Sequence, residues 1–274
     1  MRVNEQNLVL KARKKLKLAQ IKVGDFVEID EQNLVIEKLI PRKNQLIRPP
    51  VANVEQALIV IAPVPKPDLL LVDKLLIKFF SLNIQPVIVI NKIDLCAIAL
   101  ITEINEQYSK ICPVVLVSAL DNSSVHSNLY PLLSGKFSIM TGQSAVGKTS
   151  LLKVLLPDVN MEVGDLSKKT ARGKNTTRHS EIFVLPNGGL LADTPGFNAF
   201  ELDDFTPEQI VDNTPELKNY SQNCKYNDCN HIGEDISVCA VKQALKNGEF
   251  SDLRYQRYCE LFKIAKQKED KKYE

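Results

Sequence analysis

Long apolar runs are absent from these 274 residues. The longest, such as ALIVIA at 57–62, fall far short of the roughly 20 residues that cross a bilayer. The opening MRVNEQNLVLKARKK has no apolar stretch of the kind that directs export. No internal repeat or low-complexity tract is visible either. A membrane protein, an exported protein and a repeat array are therefore not expected, and a cytoplasmic location is. Charge of one sign is also scarce, with 35 Lys/Arg against 33 Asp/Glu for a net +2. That balance hides an asymmetry: residues 1–50 carry 11 basic and 6 acidic side chains, a surplus of +5. Such a surplus suits contact with a phosphate backbone and equally suits a solvated face.

Cysteine is sparse too. The six lie at 96, 112, 224, 229, 239 and 259. In a cytosolic chain they are expected to be reduced, so a cluster with histidine suggests metal and not a disulfide framework. Cys96, Cys112 and Cys259 stand apart from any cluster and read as small buried or partly buried residues.

What is present is an ordinary globular composition, 44% hydrophobic and 25% charged. The length accommodates one to three domains at roughly 100–200 residues each. The pattern divides the chain into residues 1–50, 51–205 and 206–274. In the first, NLVLKA, DFVEI and NLVIEKLI alternate like strands of a small β-barrel. RPPVAN (48–53) reads as a linker. Strand–helix alternation follows, with strands at 57–62, 86–91, 113–119, 137–142, 181–186 and 189–196. Helices are expected at 69–83, near 98–109 and after the loop at 142–149. This is the pattern of a mostly parallel sheet covered on both faces. From about Thr206 the chain becomes polar, Cys-rich and helical.

The segment GQSAVGKT (142–149) is a phosphate-binding loop in its required context, after a strand and before an amphipathic helix. Gly142 and Gly147 stand where the backbone must approach anionic oxygens. Lys148 can bridge the β- and γ-phosphates, and the Thr149 hydroxyl is a candidate Mg²⁺ ligand. Gln143, Ser144, Ala145, Val146 and Ser150 complete the expected nucleotide contacts. NKID (91–94) follows a strand at the sheet end where ligands bind. There Asp94 can accept from the two hydrogen-bond donors that guanine has and adenine lacks. Asn91 would buttress the loop, and the Lys92 stem would lie on the base. Ser118 and Ala119, after the next strand, form the second base loop, with the Ala119 amide toward guanine O6. DTPG (193–196) offers Asp193 to Mg²⁺ through water and the Gly196 amide to the γ-phosphate. In RGKNTTRHS (172–180), Thr176 or Thr177 can close on Mg²⁺ and phosphate.

These signals agree on GTP, but their order is the usual one cut and rejoined, with NKxD first. Loops at one end of a parallel sheet converge whatever their chain order, so a circular permutation preserves the site. It also places DTPG directly before the third segment. There Cys224, Cys229, His231 and Cys239 supply three thiols and one imidazole, the donor set of a closed structural zinc site.

Together these motifs resemble the circularly permuted, ribosome small subunit-dependent GTPase A family. The resemblance spans nearly the whole chain, including LIRPPVANVEQA, RGKNTTRH, GGLLADTPGF and CAVKQALKNGEFSDLRYQRY. It implies an N-terminal OB-fold, a permuted GTPase domain and a zinc-containing helical domain. It further implies a monomeric GTP hydrolase acting late in small (30S) subunit maturation, stimulated by the subunit and in contact with 16S rRNA. Members usually carry a further strand or more before the part matching LVLKARKKL, so the barrel here is expected to be truncated. Their switch usually reads His where this chain has Asn175, and Phe197 stands where other GTPases place Gln. Asn binds water but cannot take its proton at neutral pH. Lys148, Thr176, Thr177 and Asn175 are thus the candidate catalytic residues. The alternative reading is a GTP-dependent RNA-binding module with little hydrolysis. A third, an RNA-modifying enzyme, lacks any recognisable second active site.

Overall fold

The computed structural model describes residues 2–3, 6–13, 21–47, 50–157, 181–193 and 205–271, with backbone only at 2–3, 6–7, 181 and 193. The first segment holds a short antiparallel pair, β1 (Arg2–Val3) with β2 (Gln6–Asn7). A three-stranded sheet follows, built from β3 (Lys11–Ala12), β4 (Val27–Asp30) and β5 (Val35–Leu39). Strand β5 is central, parallel to β3 and antiparallel to β4. Of the expected linker RPPVAN, Arg48 and Pro49 lie outside the described residues; Val51 and Ala52 are fully buried, and Leu46, Val51 and Val54 join the core of the next segment. The reason lies in VGD (23–25). A Cβ on Gly24, at φ +86°, would meet the Ala52 carbonyl oxygen at 2.2 Å and the Phe137 ring at 2.5 Å. Only glycine permits so close an approach.

The middle segment is a six-stranded sheet in the order β10-β11-β9-β6-β7-β8. Its strands are β6 (Gln56–Ile61), β7 (Gln85–Ile90), β8 (Val114–Leu116), β9 (Phe137–Thr141), β10 (Glu181–Val184) and β11 (Leu190–Asp193). All neighbours are parallel except β10 with β11. Alternation along β6 explains its uniform apolarity. Ala57, Ile59 and Ile61 enter the core on one face, and Leu58, Val60 and Ala62 enter the core on the other. Each fully buried large aliphatic side chain contributes about 1.5–3 kcal/mol relative to exposure. On the first face lie α1 (Leu69–Ser81) and α2 (Ile98–Tyr108). The second is covered by a helical stretch over 122–133 and by α3 (Lys148–Leu155). Helix α1 is capped by Asp68, which accepts from Leu71 N–H, and it buries Val72, Leu75, Leu76 and Phe79 at helical spacing. It ends where Asn83 adopts φ +54°.

The last segment contains α4 (Pro207–Asp212), α5 (Pro215–Ser221), α6 (Ala240–Lys246) and α7 (Asp252–Asp270). Its core includes Ile210, Leu217, Val241, Tyr258 and Leu261, and it extends onto Ile77 of α1. Among the described residues no helix is long and apolar enough to cross a membrane.

Candidate nucleotide and metal sites

The phosphate loop leaves the end of β9 and enters α3 at Lys148, so its amides precede a helix N-terminus. Two glycines make the turn possible. At Gly142 (φ +130°) a Cβ would lie 2.1 Å from the Val60 carbonyl oxygen. At Gly147 (φ +95°) it would lie 2.3 Å from Asn91 Nδ2. Lys148 Nζ donates to the carbonyls of Gly142 (2.8 Å) and Gln143 (2.6 Å), across the mouth of the loop. Burial pushes its ammonium pKa down to about 8. Thr149 is half-buried in the first turn of α3, and Ser144 and Ser150 face solvent.

Asn91, 1% exposed, joins the two halves of the site. Its Nδ2 donates to the Val146 carbonyl (2.8 Å) and its Oδ1 accepts from the Ala119 amide (3.0 Å). Two residues that follow it by 55 and 28 positions along the chain are thereby fixed to it. The Ala119 amide, expected to face guanine O6, is thus engaged by Asn91. Lys92, itself at φ +60°, extends across to the carbonyls of Val64 and Ala145, each at 2.8 Å. Ser118 Oγ donates to Asp94 Oδ1 at 2.5 Å, and the exposed Asp94 is held beside the base loop. Ser118's own amide donates to Ser124 Oγ (2.9 Å). Gln143 reaches sideways: its Oε1 accepts from Asp68 N–H (3.0 Å) and its Nε2 donates to the Lys66 carbonyl (3.3 Å). The sequence offered no hint of these two bonds, because Lys66 and Asp68 carry no nucleotide motif.

The backbone of Asp193 ends β11. Ala192 pairs with Ile139, so Asp193 lies level with Met140, close to the start of the phosphate loop. Asn175, Thr176, Thr177 and Gly196 lie outside the described residues.

The second cluster forms as its spacing suggested. The donor atoms of Cys224, Cys229, His231 and Cys239 all lie within 4.8 Å of one another. His231 Nδ1 is 3.6, 3.2 and 3.6 Å from the three sulfurs in chain order. His231 adopts φ +61°, a left-handed conformation uncommon for a side-chain-bearing residue. Burial lowers the His231 pKa and raises those of Cys229 and Cys239. A bound divalent cation would reverse the latter by favouring thiolate. Two residues with no metal-ligand signature support the cluster from α7. Tyr255 donates to the His231 carbonyl (2.5 Å) and Tyr258 to the Asn230 carbonyl (2.8 Å). Four soft and borderline donors at this spacing, all but Cys224 buried, fit a closed tetrahedral metal ion.

Comparison with known proteins adds a third line of observation. The profile of the RsgA GTPase family matches residues 39–203. The small ribosomal subunit biogenesis GTPase RsgA of Alkaliphilus metalliredigens (strain QYMF) is 38% identical over 281 residues, covering 99% of this chain and 94% of that protein. Its namesake from Geobacillus thermodenitrificans (strain NG80-2) is 39% identical, covering 91% and 86%. Among solved structures, YjeQ from Thermotoga maritima superposes with a TM-score of 0.80 at 34% identity, over 93% of this chain and 89% of that one. YloQ, described as a circularly permuted GTPase, gives 0.78 at 32% identity, over 97% and 89%.

Proposed function

Because the chain belongs to the RsgA GTPase family, a family of GTP-hydrolysing enzymes, we propose that it acts late in maturation of the small (30S) ribosomal subunit and is stimulated by that subunit. The observation that carries the nucleotide half of this reading is the pair of hydrogen bonds that Asn91 makes, donating to the Val146 carbonyl and accepting from the Ala119 amide. It brings the base loops and the phosphate loop into one site even though their chain order is reversed.

In this reading the phosphates lie on the loop amides of 143–148, with Lys148 moving from the Gly142 and Gln143 carbonyls to the β- and γ-oxygens. Asp94, held by Ser118, reads guanine, and Lys92 supports the base. Mg²⁺ would be held by Thr149, Asp193 and Thr176 or Thr177, and would neutralise charge building on the phosphate oxygens. Asn175 orients the attacking water, and the Gly196 amide meets the γ-phosphate. The Cys/His cluster holds one structural Zn²⁺.

The domain bounds we assign are 1–50, 51–205 and 206–274. The first we read as an OB-fold-like barrel; the three-stranded sheet of β3, β4 and β5 supports that reading, and its basic surplus suits 16S rRNA. The protein works as a monomer in the cytoplasm. Asn175, standing where the family's pattern has His, favours one second reading: a GTP-dependent RNA-binding checkpoint with little hydrolysis of its own. Single-turnover GTP hydrolysis with and without purified small subunits separates the two. Large stimulation supports the first reading, and equal rates would overturn it.

A further inference from the structure

Helix α1 is tied at its first turn to the phosphate loop. The Asp68 amide donates to Gln143 Oε1, and the Asp68 side chain caps the helix through Leu71 N–H at 2.9 Å. Little more than a turn later comes Asp73, an aspartate only 4% exposed in the middle of an otherwise apolar helix face. A carboxylate is expensive to bury without partners, and here every partner comes from another element. Its Oδ1 accepts from Tyr108 OH of α2 (2.8 Å) and from Arg254 Nη1 of α7 (2.6 Å). Its Oδ2 accepts from Arg257 Nε, again of α7.

The same two arginines carry the network further. Arg254, 6% exposed, also pairs with Glu216 of α5, and its guanidinium lies 4.8 Å over the Tyr108 ring. Arg257 donates to Gln107 Oε1 (2.6 Å) and to Tyr108 OH (3.2 Å). Two carboxylates and two guanidiniums therefore balance inside the contact between the GTPase sheet and the C-terminal helices. Alternating with these arginines along α7 are Tyr255 and Tyr258, which hold the backbone of the metal cluster at His231 and Asn230. Each link from Gln143 to His231 is a direct contact or a single helix. None uses the chain connection that runs from DTPG into the third segment.

We propose that Asp73 is a positioning residue that makes α1 a rigid link between the phosphate loop and the Cys/His domain, so that the nucleotide bound at one end sets the state of α7 at the other. The inference rests on nucleotide binding at GQSAVGKT, and on neither ribosome binding nor hydrolysis. Buried ion pairs are often no more stabilising than an apolar substitute, and their best-attested use is to fix one arrangement. A planar, bidentate-capable pair such as Arg254 and Arg257 on one carboxylate fixes orientation as well as distance.

The test is amide hydrogen exchange across residues 252–270 in the full chain, with GDP or a non-hydrolysable GTP analogue bound. Affinity for both nucleotides is measured in parallel with a fluorescent analogue, so that lost binding is distinguished from lost coupling. In the wild type we expect the two nucleotides to give α7 exchange rates differing about threefold or more. Asp73→Asn should keep nucleotide affinity within about twofold and abolish that difference. Since Asp73→Asn also loosens the contact directly, Gln143→Ala provides the control from the opposite end. It touches nothing in the C-terminal helices, yet it should abolish the difference without raising α7 exchange in the GDP state. The double substitution should add nothing further. Normal nucleotide binding with identical α7 exchange in both states of the wild type would overturn the proposal. So would a difference that survives either substitution.

Discussion

At the scale of single residues, the site depends on side chains that hold other side chains. Asn91 touches both loops, and Ser118 holds Asp94 by a 2.5 Å hydrogen bond. The carboxylate proposed to read guanine is therefore held in place before any base arrives. Asp94→Asn should weaken GTP by about 100-fold or more, since charge-assisted hydrogen bonds are worth about 1.5–3 kcal/mol each. The same substitution should favour xanthosine triphosphate, whose C2 carbonyl accepts from the new amide. Competition binding with the two nucleotides reads this directly, and unchanged preference for GTP would remove Asp94 from base recognition. Lys148 gives a pH dependence. Its pKa is lowered to about 8 by burial, so the protonated form is disfavoured in the folded protein. That cost is fully present below about pH 8 and vanishes as pH rises toward the ordinary lysine value. Phosphates reverse the balance by favouring the ammonium. Between pH 7 and 9, GTP binding should therefore take up a proton and weaken as pH rises through about 8. Calorimetry in buffers of different ionisation enthalpy measures the uptake, and none at pH 8.5 would contradict the assignment. The loop formed by Gly142, Gly147 and Lys148 was legible as a motif because backbone approach to phosphate restricts residue choice at fixed spacing. Gln143's bonds to Lys66 and Asp68 were not, since nothing local demands them.

Among the elements, α7 serves two contacts at once. One stretch of it carries the arginines that meet α1 and the tyrosines that support the Cys/His loop, and in sequence this stretch read only as helical. The Cys/His cluster was legible because thiols and imidazole at that spacing have few other uses in a reducing compartment. A structural zinc in such a small fold supplies ~10 kcal/mol or more of apparent binding free energy. Cys229→Ser, or chelation, should then unfold the 206–274 segment while GTP binding persists. Limited proteolysis together with fluorescent-nucleotide titration checks both halves. A variant as protease-resistant as the wild type would show that the cluster needs no metal. The helices and strands expected in the middle segment lie within a few residues of those described, whereas the helical stretch over 122–133 was not expected and NLVLKA is two short strands, not one. RPPVAN also holds more buried residues than its composition suggests. Its proline pair and polar end read as a linker, whereas contact with Gly24 and Phe137 buries Val51 and Ala52.

For the whole molecule, the reordered chain still delivers NKID, the Ser118 loop, the phosphate loop and Asp193 to one end of a parallel sheet. What that assembly does on the ribosome is testable at the same scale. Isolated protein should hydrolyse GTP slowly, and small subunits should accelerate it by about 10³–10⁵-fold, the range a partner adds by ordering a switch or supplying a missing group. GTP-bound protein should bind subunits more tightly than GDP-bound protein, and added salt should weaken both. Asn175→His should raise the stimulated rate, and an unchanged rate would assign water positioning to another group. By itself the sequence determined a GTPase, a candidate set of metal donors and the sheet end where the nucleotide motifs gather, because phosphate loops, NKxD loops and thiol clusters constrain residue type over a few positions. Only the tertiary structure decided how the parts are joined. Asp73 and Arg254 are 181 positions apart, and Asn91 and Val146 are 55 apart. Each of these residues is common in isolation, and a buried charge or amide reveals its partner only once folding has removed water from around it.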